Sequence, residues 1–112
     1  MDKKKQSGVI IISTFPTEES IRKLAKDLVV NKKICACVNY ARVQSLYFWR
    51  NKLEDHTEFL TLFKTTNQRS EELKSEIKKR HPYETPEIVE LRMNDVSEPY
   101  FTWMAHSTNS VN

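Results

Sequence analysis

His81-Pro82-Tyr83-Glu84-Thr85-Pro86-Glu87 gathers an imidazole, a phenol and two carboxylates around two prolines in one short turn. Each proline fixes its own φ and pushes the residue before it, His81 or Thr85, toward extended geometry, so the polar groups are held on stiff backbone. An imidazole in such a turn has its tautomer set by its neighbours, which suits a metal ligand or an acid–base group. The alternative reading of the same residues is a helix stop feeding a strand. His56, in a polar stretch, and His106, near the end of the chain, read as solvated surface histidines.

Cys35 and Cys37 form the second chemical group. On a strand their thiols would share a face about 6 to 7 Å apart at the backbone, a spacing that suits shared chelation of a soft ion such as Cu(I) better than a disulfide. Against this, Ile34, Ala36 and Val38 make the segment apolar, and buried free cysteines behave as small hydrophobes. A thioredoxin-like role needs two intervening residues and is excluded.

A third group is a set of aromatics with one ammonium and several carboxylates: Tyr47, Trp49, Lys64, Tyr83, Glu84, Glu87, Tyr100 and Trp103. Such residues are the ingredients of a small-metabolite cleft between subunits, with Lys64 as the contact for an anionic group. Trp49 and Trp103 read equally as interface anchors, a role in which Trp is enriched. No Ser or Cys is paired with a base and an orienting third group, so the chain is not expected to be an enzyme.

These groups must be positioned by one domain, since 112 residues bury one core and are too few for two ordinary domains. Residues 1–7 and 108–112 are expected to be flexible ends. The single glycine, Gly8, rules out glycine-rich phosphate loops. A net charge of +3, spread over interleaved acidic and basic residues, argues for solubility and against a nucleic-acid partner. Lys3-Lys4-Lys5 and the short apolar run after it do not make a secretory signal, because Ser13, Thr14, Pro16 and Glu18 follow at once. No stretch approaches the roughly 20 apolar residues of a membrane span, so no membrane partner is expected and the chain is placed in the cytoplasm with reduced thiols.

The periodicity predicts a buried strand over 8–15. A helix follows, with Thr17 as N-cap, Ile21, Leu24, Ala25, Leu28 and Val29 on its apolar stripe, and an end near Lys32. Residues 34–50 alternate as a strand, 50–55 form the polar tip of a hairpin, and the return strand runs over 57–66. Asn67 caps a second helix reaching Arg80, whose stripe is thin, with Leu73 and Ile77. A last strand over 87–93 and a helix over 99–106 complete an α+β, ferredoxin-like βαββαβ order with a C-terminal helix. With the helices covering one face of the sheet, the other face shows apolar side chains to water, which predicts self-association.

Five segments in order resemble the CutA family, named for divalent-cation tolerance: Cys35-Ala36-Cys37-Val38-Asn39, Ser45-Leu46-Tyr47-Phe48-Trp49, Lys64-Thr65-Thr66, His81-Pro82-Tyr83-Glu84-Thr85-Pro86-Glu87-Ile88 and Tyr100-Phe101-Thr102-Trp103. The resemblance implies a homotrimer similar in architecture to the PII signalling proteins, binding copper or another divalent metal and requiring no cofactor. Two departures stand out. The family's Trp-Glu-Gly-Lys tip is Trp49-Arg50-Asn51-Lys52 here, and Ser13 and Arg80 replace two of the residues proposed as copper ligands in bacterial members, leaving His81. The expected metal ligands are therefore His81, Cys37 and Cys35. The cleft residues are Lys64, Tyr83, Glu84, Glu87 and Tyr47, and the trimer contacts are Trp49, Trp103 and Tyr100.

Overall fold

In the computed structural model, which describes residues 6–110, β1 (Gly8–Phe15) is the strand around which the core is built. Its β-branched side chains suit a pleated surface, and the alternation is strict: Val9, Ile11, Ser13 and Phe15 are buried, while Ile10, Ile12 and Thr14 on the other face are half-buried. Thr17 then caps α1 (Glu18–Lys26), its side-chain oxygen accepting from the Ser20 N–H at 3.1 Å. Ile21 and Leu24 are the buried stripe. A π-helical turn, Asp27–Asn31, continues the helix, with Leu28 buried and Asn31 donating to Asp27 Oδ1 at 2.8 Å.

β2 (Cys37–Trp49) and β3 (Lys52–Thr66) form a long hairpin. Its loop is tighter than the expected six-residue tip: Arg50 (φ 52°) and Asn51 (φ 64°) both turn left-handed, a two-residue geometry that matches the right-handed strand twist and lets Lys52 pair with Trp49. α2 (Ser70–Arg80) buries Leu73 and Ile77 as expected. Its start differs from the reading of Asn67 as a cap: Arg69 holds the cap position without a side-chain bond, because the Asn67 Oδ1 accepts from the Ser7 N–H at 3.0 Å. β4 (Val89–Arg92) is shorter than expected, and α3 (Glu98–Ser107) carries Pro99 in its first turn.

The strand order is β2-β3-β1-β4, every pair antiparallel, which is the ferredoxin-like sheet. Val9, Ile11, Phe15 and Phe63 pack with Ile21, Leu24, Leu28, Leu73 and Ile77, so α1 and α2 cover one face. The expectation that all helices lie on that face is corrected by α3. A Cβ on Gly8, the neighbour of inward-facing Val9, would stand 3.0 Å from Met104 Cε and 2.5 Å from Met93 Sδ, which places α3 against the opposite face and explains why the one glycine sits here.

The expected loose ends are tied down wherever they are described. Thr108 and Ser110 are buried, Ser110 Oγ lies 2.6 Å from Thr66 Oγ1, and Arg69 donates to the Thr108 carbonyl at 2.8 Å. Residues 1–5 and 111–112 of those ends lie outside the described residues. The remainder of the second face is apolar and half-open: Ile10, Ile12, Leu60 and Leu62 are half-buried, and Val89 and Leu91 in β4 are 43% and 47% exposed.

Candidate functional site

β1 stops pairing with β3 at Phe15–Phe59, but the hairpin runs on for another seven paired rows to Trp49–Lys52. The ribbon therefore projects past the sheet, and the turn after α2 folds into the angle at its base. His81 sits at the C-terminus of α2 in extended backbone (φ −75°, ψ 138°), the conformation that Pro82 demands of its predecessor. Its ring stacks on Phe15 with centroids 4.3 Å apart.

Both ring nitrogens of His81 are committed. Nδ1 accepts from the Tyr83 N–H at 3.1 Å, so the proton is on Nε2, which donates to the Thr14 carbonyl at 2.8 Å with Ser13 Oγ at 3.2 Å. Burial depresses the His81 pKa below the ordinary histidine value, outweighing the Thr14 bond and the nearby Glu58 charge, which act the other way. The ring is thus a neutral staple between α2 and β1. As a metal ligand it would have to give up one of these bonds.

Tyr83 carries the turn across to β3, its hydroxyl donating to Glu58 Oε2 at 2.6 Å. Burial first, and then this bond to a carboxylate, push the phenol pKa well above the ordinary range. Glu58 is only 5% exposed. Between ribbon and turn lies a cleft of about 840 Å³ walled by Tyr47 and Trp49 on one side and Tyr83, Glu84 and Glu87 on the other, with Glu58 at its floor. Desolvation, then the charges of Glu58 and Glu54, raise the Tyr47 pKa, as expected in a negative field. Arg50, from the hairpin loop, lies 5.4 Å from the Trp49 ring centre and 3.7 Å from a Glu84 oxygen.

The structure thus brings together Tyr47, Tyr83, Glu84 and Glu87, and adds Trp49, which was expected at an interface. Lys64 does not line this cleft within one subunit. It pairs with Ile10, whereas the cleft residue Thr14 pairs with Leu60. Four residues of strand separate the two rows, about 13 Å.

Lys64 faces Cys37 across the ladder, so the thiols share its end of the sheet. β2 starts at Cys37, so the strand alternation from which a shared face was expected for the thiols does not extend back to Cys35. Cys35 joins the buried core, its thiol donating to the carbonyls of Cys37 (3.3 Å) and Lys64 (3.5 Å), while Cys37 Sγ lies 3.6 Å from Asn39 Oδ1. Burial pushes the Cys35 thiol up to about 12, outweighing the lowering effect of the backbone at Cys37 and Lys64, so it is held protonated.

Within one subunit, then, His81 and the two cysteines do not meet. Among the described residues no group of three or more His, Cys, Asp or Glu is arranged to hold a metal ion. Tyr100 and Trp103 pair with each other on α3, with centroids 5.4 Å apart, and burial together with nearby Cys37 raises the Tyr100 pKa. Glu58 and Arg50 are the site residues that sequence reasoning missed. In the sequence Glu58 is one more charge in a polar stretch, and nothing local marks it as buried.

The family model described as CutA1 divalent ion tolerance protein matches residues 9–107. The chain belongs to the CutA family of divalent-cation tolerance proteins. The divalent-cation tolerance protein CutA of Thermotoga maritima is 35% identical over 99 residues, covering 88% of this chain and 97% of its own. The crystal structure of CutA1 from Pyrococcus horikoshii superposes with a TM-score of 0.85 at 36% identity, covering 89% of this chain and 97% of that one. A CutA from Archaeoglobus fulgidus, described as periplasmic, superposes at 0.86 with 31% identity over 90% of this chain and 98% of that one. The CutA match spans the sheet, α1, α2 and α3, and so takes in both the cleft and the cysteine end. None of the described helices is long and apolar enough to cross a membrane.

Proposed function

We propose that this CutA chain is a cytoplasmic homotrimer, not an enzyme, that takes up copper or another divalent cation weakly and contributes to the metal-ion response. The observation that carries this reading is the charge of the cleft. Three carboxylates, Glu58, Glu84 and Glu87, line it against one guanidinium, Arg50. A cleft so lined draws cations. The competing reading, an anionic metabolite held by Lys64 between subunits, would use a different place from this cleft, since Lys64 lies at the other end of the sheet.

Trimerisation is supported by the half-open apolar face, since exposed Val89 and Leu91 beside Ile10 and Ile12 need a covering surface. Neighbouring copies are also the source of the donors that one subunit lacks. The two cysteines, neither in a disulfide, fit a reducing compartment. No nucleic-acid or membrane partner is proposed. Calorimetric titration with Cu²⁺ tests the reading: saturable heat is expected, reduced in Glu84→Gln/Glu87→Gln, and titration heat no larger than dilution would sink it.

A further inference from the structure

Glu58 is 5% exposed, yet its one described partner is the Tyr83 hydroxyl on Oε2, and among the described residues it forms no ion pair. A carboxylate this deeply buried is ordinarily matched by a cation, because its lost hydration must be replaced. The open side of Glu58 is the cleft, so the missing charge must come from there.

The size and walls of the cleft say what kind of cation. A bare divalent ion needs several lone-pair donors converging at 2.0–2.6 Å, and the described residues offer no such group of three. The space is about 840 Å³, within the range of small-molecule sites and far larger than an ion. Its walls are the rings of Tyr47, Trp49 and Tyr83, whose faces attract ammonium and guanidinium groups at distances up to about 6 Å. The protein already shows this preference. Arg50 lays its guanidinium 5.4 Å from the Trp49 ring centre and 3.7 Å from Glu84. That side chain is 73% exposed and its ion-pair partner 85%, so the bridge is screened by water and easily given up.

We infer that the cleft is a receptor for an organic ammonium ion, with Glu58 as counter-ion, Tyr47 and Trp49 as aromatic walls, and Arg50 as the resident cation that the ligand displaces. The inference rests on the reading of the cleft as a cation site and names a ligand class besides metals for it. Glu84 and Glu87 at the rim supply a second negative centre, which favours an amine with two charged ends over one with a single charge.

The test is calorimetric titration of the full chain in its native assembly with 1,4-diaminobutane at low salt, beside a separate titration with Cu²⁺. Saturable diamine binding is expected, weakened tenfold or more by Glu58→Gln and by Trp49→Leu, and tightened several-fold by Arg50→Ala, which removes the internal competitor. Should Glu58→Gln fail to fold, Arg50→Ala decides, since a gain in affinity on deleting a cation is not produced by general destabilisation. Absence of saturable diamine binding in both the wild type and Arg50→Ala, or weaker binding in Arg50→Ala, overturns the inference. Diamine binding without Cu²⁺ binding upholds it and sinks the metal reading; Cu²⁺ binding without diamine binding does the reverse.

Discussion

Tyr83 donates its hydroxyl proton to Glu58 across 2.6 Å, joining two residues 25 positions apart and tying the proline-bounded turn to the projecting ribbon. The bond fixes one wall of the cleft to its floor, because Tyr83 stands on the wall and Glu58 at the base. It also lets a nearly buried carboxylate keep a strong hydrogen bond where water is scarce.

Removing that hydroxyl is expected to be costly. Tyr83→Phe leaves Glu58 Oε2 buried without its donor, at about 1–3 kcal/mol of folding stability. Urea denaturation measures it, and a double-mutant cycle with Glu58→Ala, which removes the acceptor, should recover most of the loss as coupling. A cycle with no coupling would mean that the two groups act independently.

His81 predicts a pH dependence. Its folded pKa is depressed by burial, so the unfolded chain binds the proton more readily than the folded one. Its contribution is therefore complete above the ordinary histidine value, about 6.5, and is lost as pH falls below it, levelling off under the depressed folded pKa. Protonating Nδ1 also removes the acceptor of the Tyr83 N–H. Midpoints of urea unfolding should fall between pH 7.5 and 5.5 in the wild type and fall less in His81→Gln.

Cys35 is expected to be inert in the folded protein. With its thiol pushed up to about 12 and its side chain buried, almost no thiolate exists at pH 8. A disulfide-exchange reagent should modify Cys37 first and reach Cys35 only on unfolding. Equal rates for the two thiols would contradict the packing described for Cys35.

Assembly should depend on the open sheet face. Sedimentation of the wild type is expected to give three times the 13.2 kDa chain mass. Leu91→Glu, a charge placed on a residue 47% exposed beside Ile10, should shift the population to lower mass while leaving the helical signal of the subunit intact. A trimer indifferent to this change would place its contacts elsewhere.

Much of the fold could be read along the chain. Val9, Ile11 and Phe15 alternate, while Ile21, Leu24 and Leu28 recur at helical spacing, because burial of one face imposes a local period on the residues that build it. The site was partly legible for the same reason: Pro82 and Pro86 stiffen a local turn, so Tyr83, Glu84 and Glu87 were found together. Arg50 at positive φ was not, since an arginine there is adopted under the demand of the whole ladder for a two-residue loop.

The sequence by itself determined the alternation of elements, the family and the rigid turn, all of which depend on residues near one another along the chain. Tertiary structure alone decided that Glu58 is buried beneath Tyr83, that Lys64 and the cysteines lie at the far end of the sheet, and that His81 is a staple between elements. Those facts depend on strand register and on where the hairpin outruns β1. Register is a sum over many distant pairs, and a change of one residue would turn every side chain to the other face.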